Sequence, residues 1–321
     1  MPFHCDKDEL WEGRRVSRKE RDAIPADERE ALLTIARGAV ITSAGYSGQH
    51  VLITAVEVVI ARGLGPAAYG VYTLAWRITQ LLVRFVTFGT VPALQRYLLA
   101  YEGEPQRRSS VAGLAYATTL GFGLVIATSV WFSAPRISDL SVDHPSFPAT
   151  MRAFANFVVF LGVVRITAGI FRAVESAHGE VLVNKLFAPG VRLAAATLAL
   201  WLGYSAAGVA AAIAVATGLL AVITVSLAVR ISGIASSLRG VRSESRRFYN
   251  HATPIALSRL GKVFQNRIDV LLVGALVSAV GAGTYNVVLV LIAVAWIPLR
   301  SFNQLLPPVA SELYAESNRH T

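Results

Sequence analysis

Residues 207–231 read AGVAAAIAVATGLLAVITVSLAVRI, and this stretch decides the fold class. Its only ionisable side chain, Arg230, lies next to its end. At about 1.5 Å per residue, a helix of this length crosses the roughly 30 Å of hydrocarbon in a bilayer. The stretch therefore predicts a transmembrane helix.

Stretches of similar length and composition recur along the 321-residue chain, which is 54% hydrophobic and has a mean hydropathy of +0.52. These values lie well above those of soluble domains. We therefore predict an all-α membrane protein, a polytopic bundle of about eight transmembrane helices. The predicted spans are Gly38–Ala61, Gly70–Leu98, Val111–Phe132, Phe154–Val174, Val181–Leu202, Ala207–Ile231, Ile255–Val280 and Tyr285–Val309.

A short Gly-x-Tyr motif repeats at the start of two predicted spans. Gly70-Val71-Tyr72 opens the second span, and Gly283-Thr284-Tyr285 opens the eighth. Repeated helix pairs are common in transporters, so the repeat favours one full six-helix lobe followed by the first two helices of a second lobe. The predicted organisation is a charged cytosolic tail at 1–33, the N-terminal lobe at 34–231, a basic cytosolic linker at 232–253, the helix pair at 254–311 and a cytosolic tail at 312–321.

Lysine and arginine are distributed unevenly between the two sides of the predicted spans. The N-terminal tail is rich in both and the linker is rich in arginine, whereas the opposite segments hold few basic residues, Arg62 and Arg136 among them. By the positive-inside rule, this asymmetry predicts a cytosolic N-terminus. Residues 1–33 carry no short apolar core, so a cleavable signal peptide is not expected. The predicted location is the cytoplasmic (plasma) membrane.

Ionisable side chains inside the spans are the most informative feature for function. Each costs roughly 2.5–3.5 kcal/mol on insertion scales, and such residues usually face a bundle interior or a wet cavity. Glu57 and Asp269 are the acidic ones. The cationic ones include Arg77, Arg84, Arg165, Arg192, Arg259, Lys262, Arg267 and Arg300. This excess of cations predicts a cavity between the two lobes that receives an anion.

Polar side chains follow helical spacing in two spans. In the second span they are Thr73, Arg77, Gln80, Arg84 and Thr87, which share one helix face because they are three or four residues apart. The predicted substrate-binding cations are Arg77, Arg84, Arg165, Arg192, Lys262, Arg267 and Arg300, with Thr73, Gln80, Gln265 and Asn266 as polar cavity residues. We expect Asp269 and Glu57 to form ion pairs or to bind a coupling ion.

Two simpler explanations compete with a cationic cavity. Long side chains near helix ends extend to the lipid headgroups, which fits Arg259 and Glu57. Internal ion pairing is the second, but two acids cannot neutralise all of these bases. Helix breaks at Pro189-Gly190 and Pro298 mark either substrate sites or ordinary features of membrane helices.

Catalytic signatures are missing from the sequence. It contains neither a Gly-rich phosphate loop ending in Lys-Ser/Thr nor a His-Glu-x-x-His zinc motif. Cys5 is the only cysteine, so neither an internal disulfide nor a Cys-based metal site is expected. We therefore predict a protein that is not an enzyme and has no catalytic residues, cofactor or metal. The formal charge of +10 is assigned to orientation and cavity chemistry, not to nucleic-acid binding.

Residues 61–72, ARGLGPAAYGVY, resemble the segment between the first two helices of polysaccharide biosynthesis proteins, the Wzx-type oligosaccharide flippases. Phe88-Gly89 and residues 93–97 (ALQRY) resemble the end of that family's second helix. Similar matches to its later helices and closing segment lie at residues 266–274 (NRIDVLLVG), 281–285 (GAGTY) and 307–311 (PPVAS). The resemblance covers most of the chain.

This resemblance implies a member of the multidrug/oligosaccharidyl-lipid/polysaccharide exporter superfamily with a cationic central cavity. The implied activity is flipping of a polyprenyl-pyrophosphate-linked oligosaccharide or polysaccharide repeat unit from the inner to the outer leaflet. The implied partners are this lipid-linked glycan, the lipid bilayer, and a glycan polymerase or glycosyltransferases. Because the family has two similar lobes, we expect this chain to be a fragment or to be completed by another chain.

Other functions remain open on the residues alone. A cation-coupled multidrug antiporter would need acidic residues in its cavity, and the intramembrane charges here are mainly basic. A membrane glycosyltransferase or polymerase would need a large external loop with carboxylates. A non-transporting scaffold of a glycan assembly complex would tolerate loss of the cavity charges, and a flippase would not.

Overall fold

The computed structural model describes residues 26–141, 144–174, 181–234, 237, 241–265 and 268–295. Every regular element within these residues is helical, which confirms the all-α prediction. The α-helices are α1 Ala26–Val86, α2 Thr90–Ala100, α3 Pro105–Ser141, α4 Phe147–Val174, α5 Ala188–Trp201, α6 Ala206–Ser232, α7 Val241–Gln265, α8 Ile268–Leu276 and α9 Ala279–Ala295. A π-helix, Val181–Phe187, precedes α5.

The long helix α1 contains the first predicted span and most of the second, joined at a kink. Gly65 has φ 74° and ψ 172°, a conformation that residues with a Cβ avoid, and Pro66 follows it. Twelve residues of straight helix rise about 18 Å. The hydroxyl of Tyr69 nevertheless lies 3.1 Å from the carboxylate of Glu57, twelve residues earlier. The chain therefore folds back at Gly65, and the arms before and after it pack together.

Four helical segments within the described residues are long and apolar enough to cross a membrane. They are Gly48–Ala100, Pro105–Asp139, Phe147–Ala173 and Ala206–Ser232, with Ala279–Ala293 as a shorter apolar helix. The first segment includes the folded-back α1. These segments agree with a polytopic bundle.

Several predicted boundaries differ from the structure because local backbone breaks interrupt the apolar runs. The second predicted span is interrupted at residues 87–89, where Phe88 and Gly89 have positive φ. The fifth begins as the π-helix. The seventh is divided between α7 and α8, and α9 begins before the predicted eighth span. Apolar composition sets the total length of a membrane segment, whereas such breaks depend on packing partners.

The two largest apolar clusters of the described residues join helices from different parts of the chain. The first contains Tyr72, Phe154 and Ile213 and extends to Val270 of α8 and Ala282 of α9. The second forms around α2, α3 and α4, and α7 contributes Phe248 and Ala252 to it. The first cluster therefore includes residues on either side of the predicted linker, whereas Phe248 and Ala252 of the second cluster lie within it. Inside a bilayer, close packing of this kind holds helices together in place of the hydrophobic effect.

The predicted linker at residues 232–253 is not a loop throughout, because α7 begins at Val241. Glu244 accepts hydrogen bonds from the Tyr101 hydroxyl at 2.6 Å and from Arg107 Nε at 3.0 Å. The hydroxyls of Tyr249 and Thr118 lie 2.6 Å apart. These contacts fix the first half of α7 against α2 and α3.

Candidate functional site

A cavity of about 360 Å³ opens among α1, α2, α4, α5 and α6. Its polar lining combines two arginines, Arg165 and Arg192, with the side-chain amides of Gln49, Gln80 and Asn184. Among the described residues, the lining includes no carboxylate. The remaining lining residues are Ile53, Trp76, Thr87, Val91, Phe157, Leu161, Ala188, Pro189 and Thr217. The cavity can therefore offer hydrogen bonds and positive charge together.

All of these lining residues lie between residues 49 and 217, inside the segment predicted as the N-terminal lobe. The sequence placed the cavity between two lobes. In the described part of the chain, its lining comes from α1, α2, α4, the π-helix, α5 and α6. The side chains of the second-lobe cations Lys262, Arg267 and Arg300 lie outside the described residues, so a cavity between the two lobes stays a prediction.

Arg192 is a buried cation of the lining that several side chains hold in place. Its Nη2 donates to Glu57 Oε1 at 3.2 Å and to the Tyr72 hydroxyl at 2.9 Å. Its guanidinium carbon lies 3.6 Å from the centroid of the Trp76 ring, within the range of a cation–π contact. Both Arg192 and Glu57 are buried, with 7% and 4% of their surface exposed. The arginine is thus held by one carboxylate and two aromatic rings.

The local backbone explains how Arg192 reaches this position. The π-helix Val181–Phe187 has a wider turn than an α-helix, and such segments often occur at functional sites. Pro189 follows at the second residue of α5, and without an N–H it cannot donate a hydrogen bond to the preceding turn. Asn184 before this junction and Arg192 after it both face the cavity.

Hydrogen bonds continue from Glu57 toward α9. Tyr69 donates its hydroxyl hydrogen to Glu57 Oε2 and accepts a bond of 2.8 Å from the amide of Asn286. Arg77 donates to the other end of that amide, the Asn286 oxygen. Asn286 is completely buried, so its polar atoms depend on these partners. The network therefore joins the cavity wall to α9.

The two copies of the Gly-x-Tyr motif meet beside this network. A Cβ added at Gly283 would lie 3.1 Å from the Cα of Gly70. A Cβ added at Gly70 would lie 2.2 Å from the backbone oxygen of Ala279, closer than real contacts allow. Glycine at both positions permits this approach of α1 to α9, as small residues do at membrane helix interfaces.

The structure brings Gln80, Arg165 and Arg192 together in the cavity and places other predicted residues elsewhere. Arg77 pairs with Asn286, and the buried Oγ1 of Thr73 has no hydrogen-bond partner among the described residues. Arg84, one turn before the break at residues 87–89, is exposed. These three do not line the cavity.

The predicted acids have different surroundings. Glu57 forms the ion pair with Arg192 described above. Asp269 is half-buried and accepts hydrogen bonds from the Tyr285 hydroxyl at 3.1 Å and from the Val270 N–H at 2.9 Å. The side chains of the remaining predicted site residues lie outside the described ones: Lys262, Gln265, Asn266, Arg267 and Arg300.

Several site residues were not identified from the sequence. Gln49 and Asn184 are single amides within apolar runs, a weak signal that separates cavity residues poorly from packing residues. Trp76 and Tyr72 carry no charge, although both contact Arg192. Asn286 directly follows the repeated motif, so the repeat could have pointed to it.

Comparison with known proteins adds a family model and two solved structures. A model described as "Polysaccharide biosynthesis protein" matches residues 35–313. One similar structure is an outward-facing multidrug resistance MATE family transporter of the MOP superfamily, with a TM-score of 0.60 and 17% identity. Another is a MOP superfamily transporter from Pyrococcus furiosus, described by the reverse polarity of its binding pocket, with a TM-score of 0.58 and 17% identity.

Both alignments cover 88% of this chain and 65% of the solved transporter, so the chain spans about two thirds of their length. At this identity the likeness shows the fold. No match was found among proteins of curated function.

Proposed function

Because the chain belongs to the polysaccharide biosynthesis protein family, we propose that it exports lipid-linked oligosaccharides or polysaccharide repeat units across the cytoplasmic membrane. The substrate would be carried on a polyprenyl pyrophosphate. The N-terminus would be cytosolic, and transport would proceed from the inner to the outer leaflet. A glycan polymerase or glycosyltransferases would act on the same substrate before or after it.

One observation supports this substrate class above others. The described cavity lining holds Arg165 and Arg192 with three amides and no carboxylate. Arginine binds phosphate oxygens through paired N–H donors. Amides donate to and accept from sugar hydroxyls. A pyrophosphate-linked glycan presents both kinds of group.

The charge of the lining also separates this proposal from export of cationic drugs. A cationic drug placed in the cavity would meet positive charge without an acidic partner in the described lining. Like charges at short range in a low-dielectric site repel strongly. The solved neighbours show that this fold occurs in transporters whose pocket polarity is a distinguishing feature.

We propose that transport follows a rocking of the segment 34–231 against the helices that follow the linker, as in transporters built from repeats. In this scheme Arg165 meets the substrate directly. Glu57 and Asp269 are the intramembrane acids available for coupling. The other predicted cations, Lys262, Arg267 and Arg300, would extend the positive surface toward the second lobe.

Replacement of Arg165 by Gln tests the proposal. The chromosomal gene of the source organism is replaced by R165Q, and surface polysaccharide and the lipid-linked precursor are quantified. We expect surface polysaccharide to fall and the precursor to accumulate on the inner leaflet. R84Q is the matched control, since Arg84 is exposed and outside the cavity lining. Normal export in R165Q at equal protein level would refute the cavity's role.

A further inference from the structure

A continuous path of hydrogen bonds connects the cavity to the contact between α1 and α9. Arg192 stands in the cavity wall, whereas Glu57, Tyr69 and Asn286 are buried behind it. The path runs from Arg192 to Glu57 at 3.2 Å, from Glu57 to Tyr69 at 3.1 Å and from Tyr69 to Asn286 at 2.8 Å. The residues at its two ends are thus linked through only two others.

Glu57 is paired with Arg192, a residue of the cavity lining. It is the carboxylate that neutralises Arg192 in this structure, and it does so at the cavity wall. The buried Nε of Arg192 has no hydrogen-bond partner among the described residues. A guanidinium offers five N–H donors, so Arg192 can bind an anion through donors that Glu57 does not use.

We propose that Glu57 is an internal counter-ion that the anionic head group of the substrate displaces from Arg192, and that Tyr69 and Asn286 transmit this displacement to α9. This inference rests on the proposed function, because it requires an anionic substrate in the cavity. Tyr69 and Asn286 are positioning residues in this scheme, since neither lines the cavity.

Electrostatics explains why displacement of Glu57 from Arg192 would affect Tyr69 and Asn286. A buried carboxylate that loses its cation is strongly destabilised. The cation at the other end of the path is Arg77, which donates a hydrogen bond to Asn286. In this scheme Glu57 moves toward Arg77 as Asn286, a residue of α9, gives way. Binding of an anion therefore weakens the polar contact beside Gly70 and Gly283.

Thermodynamic reciprocity provides the test. If anion binding loosens the α1–α9 contact, then loosening that contact by substitution must strengthen anion binding. Tyr69→Phe and Asn286→Ala each cut the path at a different bond without touching the cavity lining, so misfolding of one variant leaves the other as the test. Val287→Ala is the matched control, one residue along α9 and exposed.

Binding is measured on the full chain in nanodiscs, with undecaprenyl pyrophosphate as the probe and undecaprenol as the uncharged comparison. We expect Y69F and N286A to bind the pyrophosphate at least about fivefold more tightly than the parent, the lower end of typical allosteric couplings. Undecaprenol binding and the V287A control should not change. Equal affinities in the parent, Y69F and N286A would overturn the inference.

The separation of α1 and α9 can also be measured directly, as the distance between two spin labels. Spin labels are placed at Ala67→Cys and Val277→Cys in a Cys5→Ser background, at positions that are exposed on α1 and after α8. The pyrophosphate should increase the long-distance population in the parent, and N286A should show that population without the probe. An unchanged distribution in both cases would contradict transmission to α9.

The outcomes separate this inference from the proposed function. If the parent binds undecaprenyl pyrophosphate and R165Q weakens binding, the anionic substrate class stands even when Y69F and N286A behave like the parent. If the parent does not distinguish the pyrophosphate from undecaprenol, both the substrate class and the counter-ion role are refuted.

Discussion

Tyr69 and Asn286, separated by 217 residues in the chain, share a buried hydrogen bond of 2.8 Å. Tyr69 directly precedes the first Gly-x-Tyr motif, and Asn286 directly follows the second. The two copies of the repeat are therefore in contact, with Gly70 against Gly283. The repeat marks a helix–helix interface as well as the start of two helices.

The glycine contact makes a prediction about packing. Gly70→Ala should destabilise the protein by about 1–3 kcal/mol, because its Cβ would meet backbone and not a flexible side chain. Gly121→Ala is the control, since nothing lies within 4 Å of its added Cβ. Denaturant unfolding in detergent measures both. Equal stability of the two variants would show that α1 and α9 are not closely packed.

The ion pair between Glu57 and Arg192 makes a second prediction. Glu57→Ala should cost about 3–5 kcal/mol of unfolding free energy, because it leaves the buried guanidinium of Arg192 uncompensated. The double variant Glu57→Leu/Arg192→Met should recover most of this loss, since it removes both charges. A double variant no more stable than E57A would contradict charge as the cause.

A third prediction concerns pH and the contact between α7 and α3. Burial alone would raise the pKa of Glu244, but hydrogen bonds from Tyr101 and Arg107 and the charges of Arg107 and Arg247 outweigh it, so the pKa lies below its ordinary value of 4.5. The resulting stabilisation is complete above pH 4.5 and is lost as the pH falls through the lowered pKa.

Unfolding of the parent and of Glu244→Gln between neutral and acidic pH measures this effect. The parent should lose stability on acidification more steeply than E244Q, because the variant has no carboxylate to protonate at that position. Glu102→Gln, at an exposed site in the same region, should follow the parent. Parallel curves for the parent and E244Q would refute the role of this pair.

The predicted orientation can be tested with the only cysteine of the chain. In intact cells, Cys5 should not react with a membrane-impermeant maleimide, and it should react after permeabilisation, because the positive-inside rule places the N-terminus in the cytosol. Tyr204→Cys in a Cys5→Ser background should react without permeabilisation. Tyr204 is exposed and follows the end of α5 that is predicted to lie outside the cell. Labelling of Cys5 but not of Y204C in intact cells would show that the N-terminus lies outside the cell.

The stripe of Thr73, Gln80 and Arg84 shows where sequence reasoning reached its limit. Helical spacing correctly places such residues on one face of the helix. Different helices pack against that face at different positions along its length. Gln80 meets the cavity, Thr73 is buried in packing and Arg84 is exposed. Spacing along one helix carries no information about which helix packs against each turn.

Apolar run lengths determined the all-helical membrane fold, because a bilayer leaves buried backbone groups few ways to form hydrogen bonds other than within helices. The sequence also indicated the family through the segment around Gly65 and Tyr69, which the match over residues 35–313 supports. Tertiary structure alone decided that Arg192 pairs with Glu57, that Arg77 engages Asn286, and that the described cavity lies within residues 49–217. These pairings join residues more than a hundred positions apart, and only the packing of helices brings them within reach.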